Sequence, residues 1–401
     1  MLDLTVALAG PMATLLLGGL GAKVIKVEEP TVGDPCRDNA PYFGLGGVKL
    51  VREREDDFSV PGFNRLRNKL GVTLNLKHPQ AREVLADLAR SADIVVENFS
   101  AGTLDRLGLG YDFLRGTNPR IVHCSISGFG SDAQSGRGRG LDATIQALSG
   151  LMYITGRPED PPVRVGLTIA DLTAAQFAAI GVLAALHQAR LTGIGQHVDI
   201  SMLGVLTALV AAEGWEAVER CGAPTRTGQT VQRLAPFGVY RARDGYVSIC
   251  AYTDRLAHSL FATMGRTDLA GHPRFGSRNA RVQHYAELDG LIEEWTCSLP
   301  ALEIVAKLQE AGVPVAEVRH PKEAVRDPGV LARKETVPMV HPQYGSVDEL
   351  YAMGLPIQFS ESAAGFDQPP PVLGEHNQAV YGGTLGYSLG RIEELKALGV
   401  I

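Results

Sequence analysis

Paired cysteines, a surplus of positive charge and a long unbroken apolar run are all missing from this chain of 401 residues. Its five cysteines, Cys36, Cys124, Cys221, Cys250 and Cys297, are odd in number and show no paired spacing, which argues against a disulfide framework or a zinc site. Reduced cytosolic thiols fit that usage, and no metal is expected. Charged residues make up only 20% of the chain and the net charge is −6, so no global basic field draws nucleic acid and any anionic ligand must be held by local cations. No charged leader with a small-residue cleavage site is visible, and the longest apolar run is shorter than the ~20 residues a membrane span needs. The expectation is a cytoplasmic protein with neither membrane nor nucleic-acid partners. The fingerprint Gly-x-Gly-x-x-Gly is also lacking. The first strand is followed by Gly10-Pro11, and Gly18, Gly19 and Gly21 come too late to cradle a pyrophosphate, which argues against a nicotinamide dehydrogenase. The glycine-rich passage from Gly128 to Gly150 is too irregular for a P-loop and reads as a mobile binding loop.

What is present is organised around Arg164 to Arg190. Between Leu172 and Leu186 only Thr173 and Gln176 are polar, so the segment reads as a helix apolar on nearly all sides and therefore buried, with Asp171 at its mouth. Two readings of Asp171 stand side by side. It is a helix N-cap, or it is a nucleophile that stays ionised at a helix N-terminus and needs no general base. Ahead of it the chain alternates strand and helix signals: a strand from Leu4, a helix over Met12 to Leu20, a strand over Lys23 to Val27, then Gly71–Leu76, Pro79–Ser91, Asp93–Val96 and Ile121–Ser125. That order predicts a doubly wound parallel sheet. Residues 33 to 65 read as loop, with a mixed-charge, solvated run from Lys49 to Asp57. After a strand at His197–Ile200 and a helical stretch over Ser201–Cys221 the character changes. A hairpin at Phe237–Ile249 turns at Asp244-Gly245, and helices follow near Leu256–Met264, Tyr285–Cys297 and Leu302–Ala311, with a last one over Gly390–Leu398. The expected organisation is α/β: a Rossmann-like large domain over 1–205, a smaller α+β domain over 225–330, and a segment, 341–401, returning to the large domain.

Many short motifs, in one order along nearly the whole chain, resemble the class III CoA-transferases, the family of formyl-CoA transferase and carnitine CoA-transferase. They are LDLTVALAGP, GAKVIKVEEP with Gly33-Asp34 and Arg37, Asn68-Lys69 before TLNLKHP, VVENFSAGTLDRLGLGY, SGFG, LDATIQALSGLM, the Asp171 helix and GQHVDISML. APFGVYRARDGYVSI, HPRFGSRNARV, EEWT, EAGVPVAEV, VLGEHNQAVY and LKALGVI follow.

The resemblance implies that Asp171 attacks an acyl-CoA thioester and passes through a mixed anhydride and an aspartyl-CoA thioester, with coenzyme A a substrate and no cofactor held covalently. It assigns Asp142 a supporting place near the nucleophile. It further implies CoA contacts from Leu8, Ala9, Arg37, Leu74, Lys77, Asn98, Phe99, Arg106 and Arg139, the cations among them holding phosphates or adenine. Leu8, Met152 and the stretch Arg226 to Phe237 are implied to shape an acyl pocket for a small carboxylic acid. The family fold is an interlocked dimer whose large and small domains are joined by long linkers. A homodimer is expected here, with a related second subunit as the variant. Departures narrow the reading. Formyl-CoA transferase has glutamine where Leu8 stands and a glycine run in a small-domain loop that is absent here, which disfavours formyl-CoA and oxalate. The α-methylacyl-CoA racemases of the same family carry histidine where Leu141 stands, so the racemase alternative lacks its base. A non-catalytic CoA-binding subunit is the third reading, and the intact Asp171 argues against it.

Overall fold

Six short runs rich in Val, Ile and Leu form one parallel sheet: β1 (Leu2–Asp3), β2 (Ile25–Glu28), β3 (Leu70–Thr73), β4 (Ile94–Glu97), β5 (Val122–Ser127) and β6 (His197–Ser201). The computed structural model from which this is taken describes residues 1–131, 140–231, 233–366 and 368–401. The strands lie in the order β3-β2-β1-β4-β5-β6, with Leu2 opposite Ile25 on one side and Val95 on the other. The first four are buried almost throughout, as expected of strands covered on both faces. In this doubly wound order the connections after β1 and β4 diverge to opposite faces, which leaves a crevice at the C-terminal ends of these two neighbours.

The chain divides into two compact units, one made of Met1–Ser149, Gly166–Val210 and Val325–Ile401, the other of Gly150–Val165 and Ala211–Ala324. In the first, the helix α1 (Ala9–Gly19) follows β1 and begins three residues earlier than its sequence pattern predicts. Pro11 fits there because the first N–H groups of a helix have no intrahelical partner to lose. Gly10 is required by space, since a Cβ would stand 2.3 Å from the Cβ of Thr5. Residues 33–65 are not simply loop. They hold a small antiparallel sheet of Tyr42–Gly44, Gly47–Lys49 and Phe58–Ser59 and the helix α2 (Val60–Leu66), elements too short to leave a periodic signal. The helix α3 (Ala81–Arg90) buries Val84, Leu85 and Leu88 in a core that the C-terminal segment completes with Tyr381, Ile392 and Leu395.

The helix α4 (Asp142–Leu148) and the long helix α5 (Ile169–Thr192) both belong to the first unit, the stretch Gly150–Val165 between them being part of the second. The side of α5 lined by Ala170, Ala174, Ala178, Val182, Ala185 and Ala189 is buried, and α5 packs on α1, β5 and β6. The expectation that α5 is buried all round does not hold within one chain: Phe177, Ile180, Leu183 and Leu191 are exposed, Ile180 by 64%. Among the described residues, α5 is the one helix long and apolar enough to cross a membrane, a test that the core helix of a soluble protein also passes. Apolarity on every side says that each side avoids water, but not that one chain supplies all the cover.

The second unit holds an antiparallel sheet of Phe237–Arg241, Tyr246–Cys250 and Val315–Glu317 with helices Asp254–Thr263, Tyr285–Cys297 and Ala301–Glu310. Arg281 is buried at its centre, donating to the carbonyls of Ala235, Phe275 and Tyr252 and to Asp254. The helical stretch over Ser201–Cys221 is two helices, Met202–Ala211 and Trp215–Arg220, separated where Gly214 takes φ +61.

Candidate functional site

The crevice beside β1 and β4 is lined by a turn, Thr5–Leu8, whose backbone is held almost entirely by side chains. Thr5 N–H donates to Asp3 (3.0 Å) and Thr5 C=O accepts from Lys26. Asn98, just beyond β4, takes both polar groups of Val6, accepting from its N–H at 2.7 Å and donating to its C=O at 2.8 Å. Ala7 N–H donates to Asp34 (2.9 Å), and Ala7 C=O accepts from Nη1 of Arg65 (3.2 Å). This clamp holds Ala7 at φ +65, a left-handed conformation that costs a non-glycine residue energy and persists only where its surroundings enforce it. Beneath the turn, Lys26 pairs with Asp34 (2.8 Å) and Lys69 with Asp3 (2.9 Å), all four fully buried. Glu97, which ends β4, accepts from Phe99 N–H (2.7 Å), and burial pushes its carboxyl up to about 7. The turn delivers the chain into α1, where no side chain caps the helix and its first turn carries no acid. The N–H groups of Leu8, Ala9 and Gly10 meet no acceptor among the described residues. They form a positive end suited to a developing oxyanion.

Asp171 stands in the first turn of α5. The N-cap reading does not hold, because the helix starts at Ile169 with Thr168 as its cap residue and no side-chain cap bond. The capping is done from outside: Oδ1 of Asp142 accepts the N–H of Ala170 at 2.8 Å. Gln146, fully buried one turn along α4, fixes that arrangement by donating to Oδ2 of Asp142 (2.7 Å) and to Leu167 C=O (3.1 Å). Asp171 is therefore left uncapping and unbonded by these groups. Burial first, and the nearby Asp142 carboxylate second, push its carboxyl up to about 6, while Arg65 pulls the other way. The expectation of a fully stabilised anion needs that correction. Near pH ~7.5 the group is still largely ionised, and it is a more basic, more nucleophilic carboxylate than an ordinary aspartate.

The predicted CoA contacts that lie among the described residues fall into three groups. Leu8, Ala9, Asn98 and Phe99 lie at the crevice, though Asn98 serves there as the clamp on Val6. Lys77 and Arg106 are exposed, and Arg106 donates to Ala101 C=O (3.3 Å) and Thr103 Oγ1 (2.8 Å), with no carboxylate at ion-pair distance among the described residues. Arg37 and Leu74 are committed to the interior. The Arg37 guanidinium forks onto the buried Glu28 with two 2.7 Å bonds and reaches Pro371 C=O, and the Leu74 side chain is part of the core. Arg139 and the rest of the stretch 132–139 of the glycine-rich passage lie outside the described residues. Met152 and Arg226–Phe237 belong to the second unit, where Arg226 lies over the Tyr153 ring at 5.4 Å. Arg65 and Gln146 were not legible as site residues. Gln146 had one available signal, its place four residues after Asp142 on one helix face. Arg65 had none.

A family model described as CoA-transferase family III matches residues 1–377. The chain is 35% identical over 401 residues to the succinyl-CoA–D-citramalate CoA-transferase of Chloroflexus aurantiacus, covering 100% of this chain and 96% of that one. It is 36% identical over 383 residues to the succinyl-CoA:mesaconate CoA-transferase of Haloarcula marismortui, covering 94% and 92% of the two. Among solved structures, a CAIB/BAIF family protein from Brucella suis is similar with a TM-score of 0.81 at 30% identity, over 96% of this chain and 97% of that one.

Proposed function

Because this chain belongs to CoA-transferase family III, we propose that it moves CoA from an acyl-CoA donor to a carboxylic acid through covalent intermediates on Asp171. An Asp171 oxygen attacks the donor thioester carbon, the C–S bond breaks, and CoA leaves as the thiolate, giving a mixed anhydride. The thiolate attacks the Asp171 carbonyl of that anhydride and expels the donor acid as its carboxylate. The acceptor carboxylate then attacks the aspartyl thioester, and the released thiolate takes the acceptor acyl group, restoring Asp171. Nucleophile and leaving groups are carboxylates and a thiolate throughout, so what the protein supplies is position and electrostatics.

The observation that carries this reading is the environment of Asp171: a carboxylate in a helix first turn, raised by burial and Asp142, in a unit that also offers an uncapped α1 N-terminus and Arg65. Of the cations expected at the CoA phosphates, Lys77 and Arg106 are the exposed ones among the described residues, and succinyl-CoA, named as donor for two relatives, is the first donor to test. A two-fold dimer is part of the proposal, since the apolar face of α5 at Phe177, Ile180 and Leu183 is the kind of surface a second copy covers.

The test is transfer itself. Purified protein with succinyl-CoA and a panel of acids is expected to yield new acyl-CoA species by mass spectrometry. Hydroxylamine or borohydride is expected to mark Asp171 in a peptide map. Modification at another residue removes Asp171 from the chemistry. Exchange of an acyl-CoA α-proton with deuterium, without CoA transfer to any acid, replaces the transferase reading with a racemase.

A further inference from the structure

Arg65, in the last turn of α2, is half-buried, and the function proposed above gives its guanidinium no contact with substrate. Its neighbours differ from it in one respect. Lys26 and Lys69 are matched by Asp34 and Asp3, and Arg37 by Glu28. Arg65 makes one bond, from Nη1 to Ala7 C=O, and no carboxylate stands within ion-pair distance of it among the described residues. Its remaining N–H groups, a planar fork suited to a carboxylate, meet no protein acceptor there. The acids its charge acts on from further off are Asp34, already paired with Lys26, and Asp171.

Chemistry makes that imbalance worse during turnover. Once Asp171 becomes an anhydride or a thioester it carries no charge, and the half-buried Arg65 guanidinium loses one of the anions acting on it. An acyl group bearing a second carboxylate restores one at the moment it is needed, whereas a monocarboxylic acyl group does not.

We propose that Arg65 receives the non-reacting carboxylate of a short dicarboxylic acyl group, and so selects dicarboxylic over monocarboxylic substrates. The proposal rests on Asp171 being the acyl acceptor. Contact with substrate comes from the free face of the fork, while the bond to Ala7 C=O keeps the guanidinium oriented over the turn.

The experiment compares succinyl-CoA with butyryl-CoA, which have equal carbon number and differ in the terminal charge. Wild type is expected to prefer succinyl-CoA in kcat/KM by about 100-fold or more, a range typical of a lost buried polar partner. Arg65→Gln should abolish most of that preference, the succinyl-CoA value falling much further than the butyryl-CoA value, since any loss of support for the Ala7 turn or for the Asp171 anion is shared by both donors. Arg65→Lys should recover part of it. An equal loss on both donors assigns Arg65 to support of the Ala7 turn and overturns the proposal, as does a wild type that does not discriminate. Protection of Arg65 from phenylglyoxal in the wild-type protein, read by peptide mass spectrometry, needs no variant to fold. Succinate should protect and butyrate should not, and equal protection by both refutes the assignment. Turnover surviving in Asp171→Asn defeats the reading of Asp171, and the protection pattern then still reports on Arg65 separately.

Discussion

At Asp171 function and stability pull in opposite directions. Its carboxyl is raised from 3.8 to about 6, first by burial and then by Asp142. The native state therefore holds the proton more tightly than the unfolded chain, so this group's contribution to stability is greatest below the unfolded value and falls as pH rises from about 4 to 6. Asp171→Asn removes that cost without removing a cap, and is expected to raise stability above neutral pH by on the order of 1–3 kcal/mol in urea unfolding while abolishing turnover. A destabilised Asn variant would show that the carboxylate holds the helix after all. The acid limb of kcat/KM should lie near 6 in wild type, because the protonated acid does not attack. In Asp142→Asn the amide oxygen still accepts from Ala170 N–H, but the repulsive charge is gone. The limb is expected to move down toward the usual carboxylate range, and a limb that stays in place would separate Asp142 from the ionisation of Asp171.

Among elements, the connections after β1 and β2 are built as one piece. The strained Ala7 turn is held from β4 by Asn98 and from α2 by Arg65, and Glu28 at the end of β2 binds Arg37, which in turn reaches Pro371 of the C-terminal segment. Arg37→Ala leaves the fully buried Glu28 carboxylate without its partner, and a loss of about 3–5 kcal/mol in unfolding free energy is expected. Arg106→Ala breaks no ion pair and should leave stability within ~0.5 kcal/mol while weakening CoA binding about tenfold or more at fixed salt. If calorimetry finds the reverse, with Arg37 moving affinity alone, the phosphates are held at the β2 end of the crevice and not at Arg106.

For the whole molecule, the exposed stripe of α5 sets the expected assembly. Ile180→Lys places a charge on a surface that a second copy is proposed to cover, at a position 64% exposed in the single chain. The substitution should be harmless to an isolated subunit but should lower the mass measured by light scattering to that of one chain. A variant of unchanged mass and activity would show that nothing packs there.

The order of the fold was written in the sequence because burial on both faces demands unbroken Val, Ile and Leu runs, and these marked the sheet strands to within a few residues. Asp171 stood out for a like reason: an acid at the start of an almost uniformly apolar segment is conspicuous whatever surrounds it. The ordered motifs then carried the family. Three things were decided only by tertiary structure. Whether an acid caps a helix depends on where the first turn closes, and here that turn closed three residues early and took its cap from Asp142, far off in sequence. Whether an arginine is free depends on what lies within a few ångströms of it, which gave Arg37 to Glu28 and left Arg65 open. Composition assigned nearly every face of α5 to a buried environment, and the folded chain covered the alanine side, where α5 packs against the sheet and the helices α1 and α4, leaving the far side of the cylinder open.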